Sequence, residues 1–433
     1  MRTGGVLRGS AHLAFDAVEG LTNVVEGMYR NVAAGPLPLG EAPVGPANGI
    51  AGLVHESIRR VNGASRYVTE QVLSPISHHL DRVWPPGPHR EAAIAALNGV
   101  CGDHLERSGN PLAIPMRLRA FLPPLPGDES ERPTEPEGRG VPFANLFETQ
   151  RRPVEIHPEP AALAEKGFSP GGRLLILAHG LSMNDREWTA HQHNHARMLA
   201  DAHGYTPVYV LYNSGRHVST NGRELCAQLA GLLKTWPVPV ESITMIGFSM
   251  GGLLTRSALH VAEQERQAWL GKVDKIVYVG TPHHGAVMER GGYWLQKLAT
   301  YSPYTAPLSA LGRIRSAGIT DLRHGNVLAD DWQHHDEHDD NADHRQPLPL
   351  ARGIDHYAIA STLSKQSGDR IGRLLGDGLV HPSSATGRHP DPEFDLAFPE
   401  AHTKIFYGLG HLAMLHDSRV TGQLGRWLER APS

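Results

Sequence analysis

The stretch Glu241-Ser-Ile-Thr-Met-Ile-Gly-Phe-Ser-Met-Gly-Gly-Leu-Leu-Thr-Arg-Ser-Ala-Leu-His260 decides how the chain reads. Ile243, Thr244, Met245 and Ile246 form a β-branched and apolar run that stops at Gly247. After Phe248-Ser249-Met250-Gly251-Gly252 comes an amphipathic pattern carrying Leu253, Leu254, Ala258 and Leu259. This predicts a strand, a sharp turn and a helix. The turn has the form G-x-S-x-G. A serine that must project into a cleft sits on a strained turn, where side chains at Gly247 or Gly251 would meet the neighbouring strand and helix. The following helix points its first N–H groups to where negative charge would develop. The bare pentapeptide arises by chance in many chains, so its reading depends on partners elsewhere.

Around this stretch the chain alternates strand and helix. Leu174–Ala178 is a continuous apolar run, as a strand buried on both faces requires. A helical pattern over Glu187–Ala202 follows, then a strand at Pro207–Tyr212 and a helix over Asn221–Trp236. Further strands are expected at Lys275–Gly280, His356–Ser361 and Thr403–Gly408, and Pro111–Phe121 reads as a strand at the start of the same sheet. Five or six parallel-type strands alternating with helices specify an α/β fold, a mostly parallel, doubly wound sheet. Sites in such sheets lie at the carboxyl ends of the strands.

Three candidate partners of Ser249 fall there. Ala178-His-Gly-Leu181 directly follows a strand, placing the Leu181 N–H, with that of Met250, where they could hold an oxyanion. His179 reads as orienting that loop. Asp377, in Gly376–Ala385 after the His356–Ser361 strand, suits a carboxylate that fixes an imidazole; Asp369 and Asp355 compete, although Asp355 precedes its strand. His411 follows the last strand closely, whereas His416 should lie within a terminal helix starting at Leu412. Ser249, Asp377 and His411 thus occur in the order nucleophile, acid, base.

With these residues in place the chain resembles the serine esterase and lipase branch of the α/β-hydrolase superfamily. More narrowly it is similar to bacterial lipases and to glycosylphosphatidylinositol inositol-deacylase-like (PGAP1-like) esterases. Ala178–Leu181, Val279–Ala286 (VGTPHHGA) and Gly376–Ala385 (GDGLVHPSSA) carry the likeness, which runs from about Leu174 to the C-terminus. It implies an α/β-hydrolase fold and hydrolysis of a hydrophobic or lipid-like carboxylic ester through an acyl-enzyme. An acyltransferase or thioesterase on the same residues, or a non-catalytic protein docking a partner or membrane, are the alternatives. Secreted lipases of this kind usually bind calcium through an aspartate two residues after the histidine. Ala413 stands at that position, so no metal site is carried over. No cofactor is implied.

The remaining regions are less specific. Ser10–Val32 reads as an amphipathic helix with a stripe of Ala11, Ala14, Val18, Leu21, Val25, Met28 and Val32. A second helical stretch from Ala47 repeats it faintly, with Leu21 over Ile50 and Val24 over Leu53. These helices either cover a core or touch a lipid surface. The expected organisation is an N-terminal helical region over 1–88 and an α/β domain over 89–433, with an insertion at 286–350. That insertion carries Tyr293, Trp294, Leu295, Leu298, Tyr301 and Tyr304, the face of either a moving lid or a static cap. Within it His334–His344 is dense in His, Asp and Glu but lacks zinc-site spacing, favouring a solvated loop. Pro123–Gly140 reads as a loop or linker.

A net charge of −4 over 433 residues gives no reason to expect nucleic acid as a partner. Cys101 and Cys226 form no C-x-x-C and are expected to be buried thiols. The 27 histidines are scattered, as surface polar residues would be. No segment reaches the roughly 18 apolar residues of a membrane span, and Asp16 and Glu19 break any signal-peptide core. The expectation is a cytoplasmic protein acting on a small-molecule ester or lipid, its oligomeric state open.

Overall fold

The computed structural model describes residues 3–33, 55–67, 87–122, 152–156, 168–190, 193–286, 316–333, 344–365 and 376–429. Two units account for the chain. The first comprises Met1–Gly87 with His104–Ala113, the second Pro88–Asp103 with Ile114–Ser433.

In the first unit, α1 (Thr3–Ala33) is a helix as its periodicity demands, and α2 spans 55–67. Polar side chains join them. Asn62 Nδ2 donates to the carbonyl oxygen of Phe15 at 2.9 Å, and Arg59 donates to Asn23 Oδ1 at 2.9 Å. The Asp16 carboxylate takes both Arg66 and, at 3.0 Å, His104 Nε2. The expected apolar stripe is only partly a buried face: Val18 is 44% exposed, and Ile58 and Val61 are exposed too. Leu21, Val25, Met28, Val32 and the segment around Ile50 lie outside the side chains described. Among the described residues no helix is long and apolar enough to cross a membrane.

The second unit is built on one sheet. Helix α3 (Pro88–Arg107) supplies its opening turns to this unit. Then come β1 (Arg117–Leu122), β2 (Arg152–Glu155) and β3 (Arg173–Ala178). The two-residue strands β4 (Thr189–Ala190) and β5 (His193–Asn194) pair with each other, followed by α4 (His195–His203) and β6 (Thr206–Leu211). Next are α5 (Val218–Thr235), β7 (Ser242–Phe248), α6 (Met250–Gln264) and β8 (Val273–Val279). The chain closes with α7 (Ala317–His324), β9 (Asp355–Thr362), α8 (Pro382–Ala385), β10 (Thr403–Tyr407) and α9 (Ser418–Leu428).

The eight-stranded sheet runs β10-β9-β8-β7-β3-β6-β1-β2. The six strands from β10 to β6 are parallel, and β1 is antiparallel to both β6 and β2. Strand order reverses around β3, whose neighbours β6 and β7 follow it on opposite sides; a crevice opens at such a point. Alternate side chains feed two cores. Leu174 and Ile176 pack on one face with Leu225 and Leu229 of α5 and Leu253 and Leu254 of α6. Leu175 and Leu177 pack on the other with Leu199 of α4 and Leu424 and Leu428 of α9. Each fully buried Leu or Ile contributes about 1.5–3 kcal/mol. Strands buried on both faces therefore read as unbroken apolar runs. This is the α/β-hydrolase fold.

Two expected helices differ from the structure. The helix anticipated over Glu187–Ala202 is far shorter. Asp185–Trp188 is a 3-10 turn capped by Asn184, the β4–β5 ribbon interrupts the pattern, and Asn194 caps α4 by accepting the Arg197 N–H at 3.0 Å. The terminal helix does not start at Leu412: Leu412–Leu415 is a 3-10 turn, and α9 begins only after Asp417 caps it. Strand β2 was not anticipated at all. Of the 286–350 insertion, residues 316–333 pack into the core. Ile319 and Leu322 are buried, and Asp321 accepts the Val218 N–H at the start of α5 at 2.7 Å. Tyr293 to Tyr304, residues 334–343 and Asp369 lie outside the described residues. Both cysteines are free and buried, and burial pushes their thiols up to about 12 for Cys101 and about 11 for Cys226.

Candidate active site

Ser249 is the residue between β7 and α6. Its φ of 53° and ψ of −122° place it in a strained region that a non-glycine residue seldom adopts. Two hydrogen bonds hold it there: its N–H donates to Val279 O at 2.8 Å, and its carbonyl accepts Gly252 N–H at 3.0 Å. The flanking glycines are sterically required. A Cβ on Gly247 would lie 2.5 Å from Gly252 Cα, inside the helix, and one on Gly251 would lie 2.2 Å from Ala178 O and 2.6 Å from His179 O. The helix bearing the serine thus packs straight against the end of β3.

That contact brings the loop after β3 to the serine. A Cβ on Gly180 would stand 3.2 Å from Ser249 Cβ. The next residue is Leu181, 4% exposed, and Met250 opens α6, where no earlier turn can accept its N–H. Neither the Leu181 nor the Met250 N–H is engaged among the described residues. His179 anchors this loop: its ring stacks on Tyr212 at 4.3 Å, and Tyr212 Oη donates to His179 O at 2.7 Å. Its Nδ1 donates to Gly180 O at 2.8 Å. Burial presses its pKa down to about 4, against a smaller opposing pull from the Gly180 carbonyl. A neutral, fixed ring suits orientation better than proton transfer.

Asp377 and His411 meet on the other side. His411 Nδ1 lies 2.7 Å from Asp377 Oδ2, and the two side chains are 2% and 1% exposed. The other carboxylate oxygen accepts the N–H groups of Leu379 and Val380 at 2.9 and 2.8 Å. Those bonds leave Oδ2 for the imidazole. The ring lies 5.0 Å from that of Phe248, the residue before Ser249, and a Cβ on Gly280 would be 2.9 Å from His411 Cε1. Since Gly280 follows Val279, the acceptor of the Ser249 N–H, the imidazole and the serine turn share one wall. Asp355 sits exposed at the opposite end of β9, and His416 lies past the 412–415 turn.

One buried contact escaped sequence reasoning. His195 Nε2 donates to Met414 O at 2.8 Å, while its Nδ1 accepts from Thr421 Oγ1 at 2.7 Å. The Met414 turn follows His411 directly and its side chain crowds Gly280, so His195 buttresses the loop that carries the imidazole. Partners 219 residues apart leave no local signal.

Residues 185–359 match the family model described as the PGAP1-like alpha/beta domain. The likeness to PGAP1-like proteins holds over that span, which contains the VGTPHHGA stretch but neither AHGL nor GDGLVHPSSA. The matched span contains Ser249 and Met250, while Leu181, Asp377 and His411 lie beyond it. Among solved structures the chain is similar to a lipase-esterase related protein from Clostridium acetobutylicum, at 13% identity and a TM-score of 0.31, covering 59% of this chain and 94% of that one. It is similar to an esterase from Pyrococcus furiosus at 16% identity and a TM-score of 0.33, covering 60% and 82%. Human thioesterase 2 gives 11% identity and a TM-score of 0.31, covering 60% and 94%. No curated protein sequence matches.

Proposed function

We propose that the protein is a serine hydrolase of carboxylic esters, with Ser249 as nucleophile, His411 as base and Asp377 as its orienting acid. The observation that carries this reading is the 2.7 Å bond between His411 and Asp377 at the wall shared with the strained Ser249 turn. His411 Nε2 takes the proton of Ser249 Oγ as the hydroxyl attacks the ester carbonyl. Asp377 holds the proton on Nδ1 and stabilises the imidazolium that forms. The Leu181 and Met250 N–H groups face the developing oxyanion, and one such donor is worth about 3–4 kcal/mol in the transition state. Collapse expels the alcohol, protonated by His411. Water, deprotonated in turn by His411, then attacks the acyl-enzyme, and collapse releases the acid as His411 returns the proton to Ser249 Oγ.

The substrate class we propose is a hydrophobic, lipid-like ester, a reading supported by the likeness of residues 185–359 to the PGAP1-like domain. A p-nitrophenyl ester series of increasing acyl length tests it. Turnover sustained into long chains is expected. A steep fall beyond short chains would remove the lipid-like substrate, and no hydrolysis at any length would remove the esterase reading itself.

A further inference from the structure

Beneath the helix that follows Ser249 lies a buried polar cluster that ester hydrolysis does not use. Arg256 of α6 is 7% exposed. Its Nη2 donates to Leu348 O at 2.5 Å, and among the described residues it forms no ion pair. Arg256 lines a cavity of about 20 Å³ together with His283, His284, Asp331, Arg345 and Phe394. That is room for one occupant of water size. His283 is 1% exposed, and neither of its ring nitrogens has a partner among the described residues.

The carboxylate in the cavity wall is already engaged. Asp331 Oδ2 accepts the N–H groups of Val327 and Leu328, each at 2.8 Å, and Oδ1 accepts that of Gln346 at 2.8 Å. Arg345 points a further guanidinium into the cluster, donating to His283 O and His284 Nδ1 at 3.3 Å each. Burial, then the Arg256 charge, hold His283 well below the usual imidazole range. It is therefore neutral and offers one N–H. Arg256 feels the Asp331 charge across the cavity, but its hydrogen bond is to a carbonyl alone. The Asp331 oxygens are taken by backbone N–H groups, so the buried charge of Arg256 stays poorly compensated. A water molecule would satisfy His283 and leave the Arg256 charge as it is.

We propose that this cavity holds one small monovalent anion, of the chloride class, between the Arg256 guanidinium and the His283 N–H. The anion links the helix that starts at Met250 to the loop that starts at Gly280, against which His411 packs. It is a structural tie and takes no part in bond making.

Bromide provides the probe. Crystals of the full chain soaked in sodium bromide should show an anomalous peak between Arg256 and His283. Density without anomalous signal there would identify water and overturn the proposal. In solution, melting in a bromide series is compared with gluconate at matched ionic strength for the wild type and Arg256→Gln. The wild type should show a bromide-specific gain, and the variant should lose it, with apparent bromide affinity weaker by about tenfold or more. Equal responses in both proteins would contradict the site. If Arg256→Gln does not fold, the anomalous peak in the wild type decides alone.

Discussion

His411 and Asp377, 34 positions apart, are joined twice: ring Nδ1 to carboxylate Oδ2 at 2.7 Å, and the His411 N–H to the Asp377 carbonyl at 3.1 Å. The backbone bond fastens the two loops, and the side-chain bond fixes the ring within them. Loop position and imidazole tautomer can therefore be perturbed separately.

Asp377→Asn keeps the backbone bond and an oxygen for Leu379 and Val380 but no longer holds the required tautomer. Its kcat should fall by about 10³–10⁴-fold with little change in melting temperature. Ester kinetics beside a thermal melt check this. Asp377→Ala also strips the acceptor from two buried N–H groups, so it should lose stability as well as rate.

Gly251→Ala drives a methyl into Ala178 O and His179 O, both backbone atoms. A loss of about 1–3 kcal/mol is expected in urea unfolding, with activity reduced because the serine helix and the Leu181 loop are pushed apart. Gly422→Ala is the control. Gly422 is exposed within α9 with open space around it, and alanine there should gain about 0.5–1 kcal/mol.

Acid should weaken the fold through buried histidines. His179 and His195 are each 1% exposed, and burial lowers both to about 4. In the unfolded chain they titrate near 6.5. Between those values the unfolded state binds more protons, so stability rises with pH. It is complete above about 6.5 and is lost as pH falls towards about 4, at up to about 1.4 kcal/mol per pH unit for each group. Urea titrations across this window should show the slope, and His195→Gln should make it shallower.

What the sequence revealed follows from the range of the interactions involved. The elbow was readable because its constraints are local: Gly247 meets Gly252, and the strand, turn and helix are contiguous. The parallel strands were readable because burial on both faces writes itself as an apolar run, as in Leu174–Ala178. Asp377 and His411 are picked out by chain order and by their positions after β9 and β10, and the structure brings the two side chains together. The helix anticipated from Glu187 failed because Asn184 and Asn194 both cap, and the periodicity could not show the ribbon between them. The hold of His195 on Met414, the antiparallel edge strand β2 and the packing of Ile319 and Leu322 into the core depend on contacts between distant residues. No window of sequence displays those.

The central claim is that Ser249 attacks. A fluorophosphonate probe tests it most directly, since it phosphonylates an activated serine and leaves an ordinary hydroxyl untouched. Stoichiometric labelling of the wild type is expected, with the adduct mapped to Ser249, and none in Ser249→Ala. An unlabelled wild type, or equal labelling of the two proteins, would contradict it.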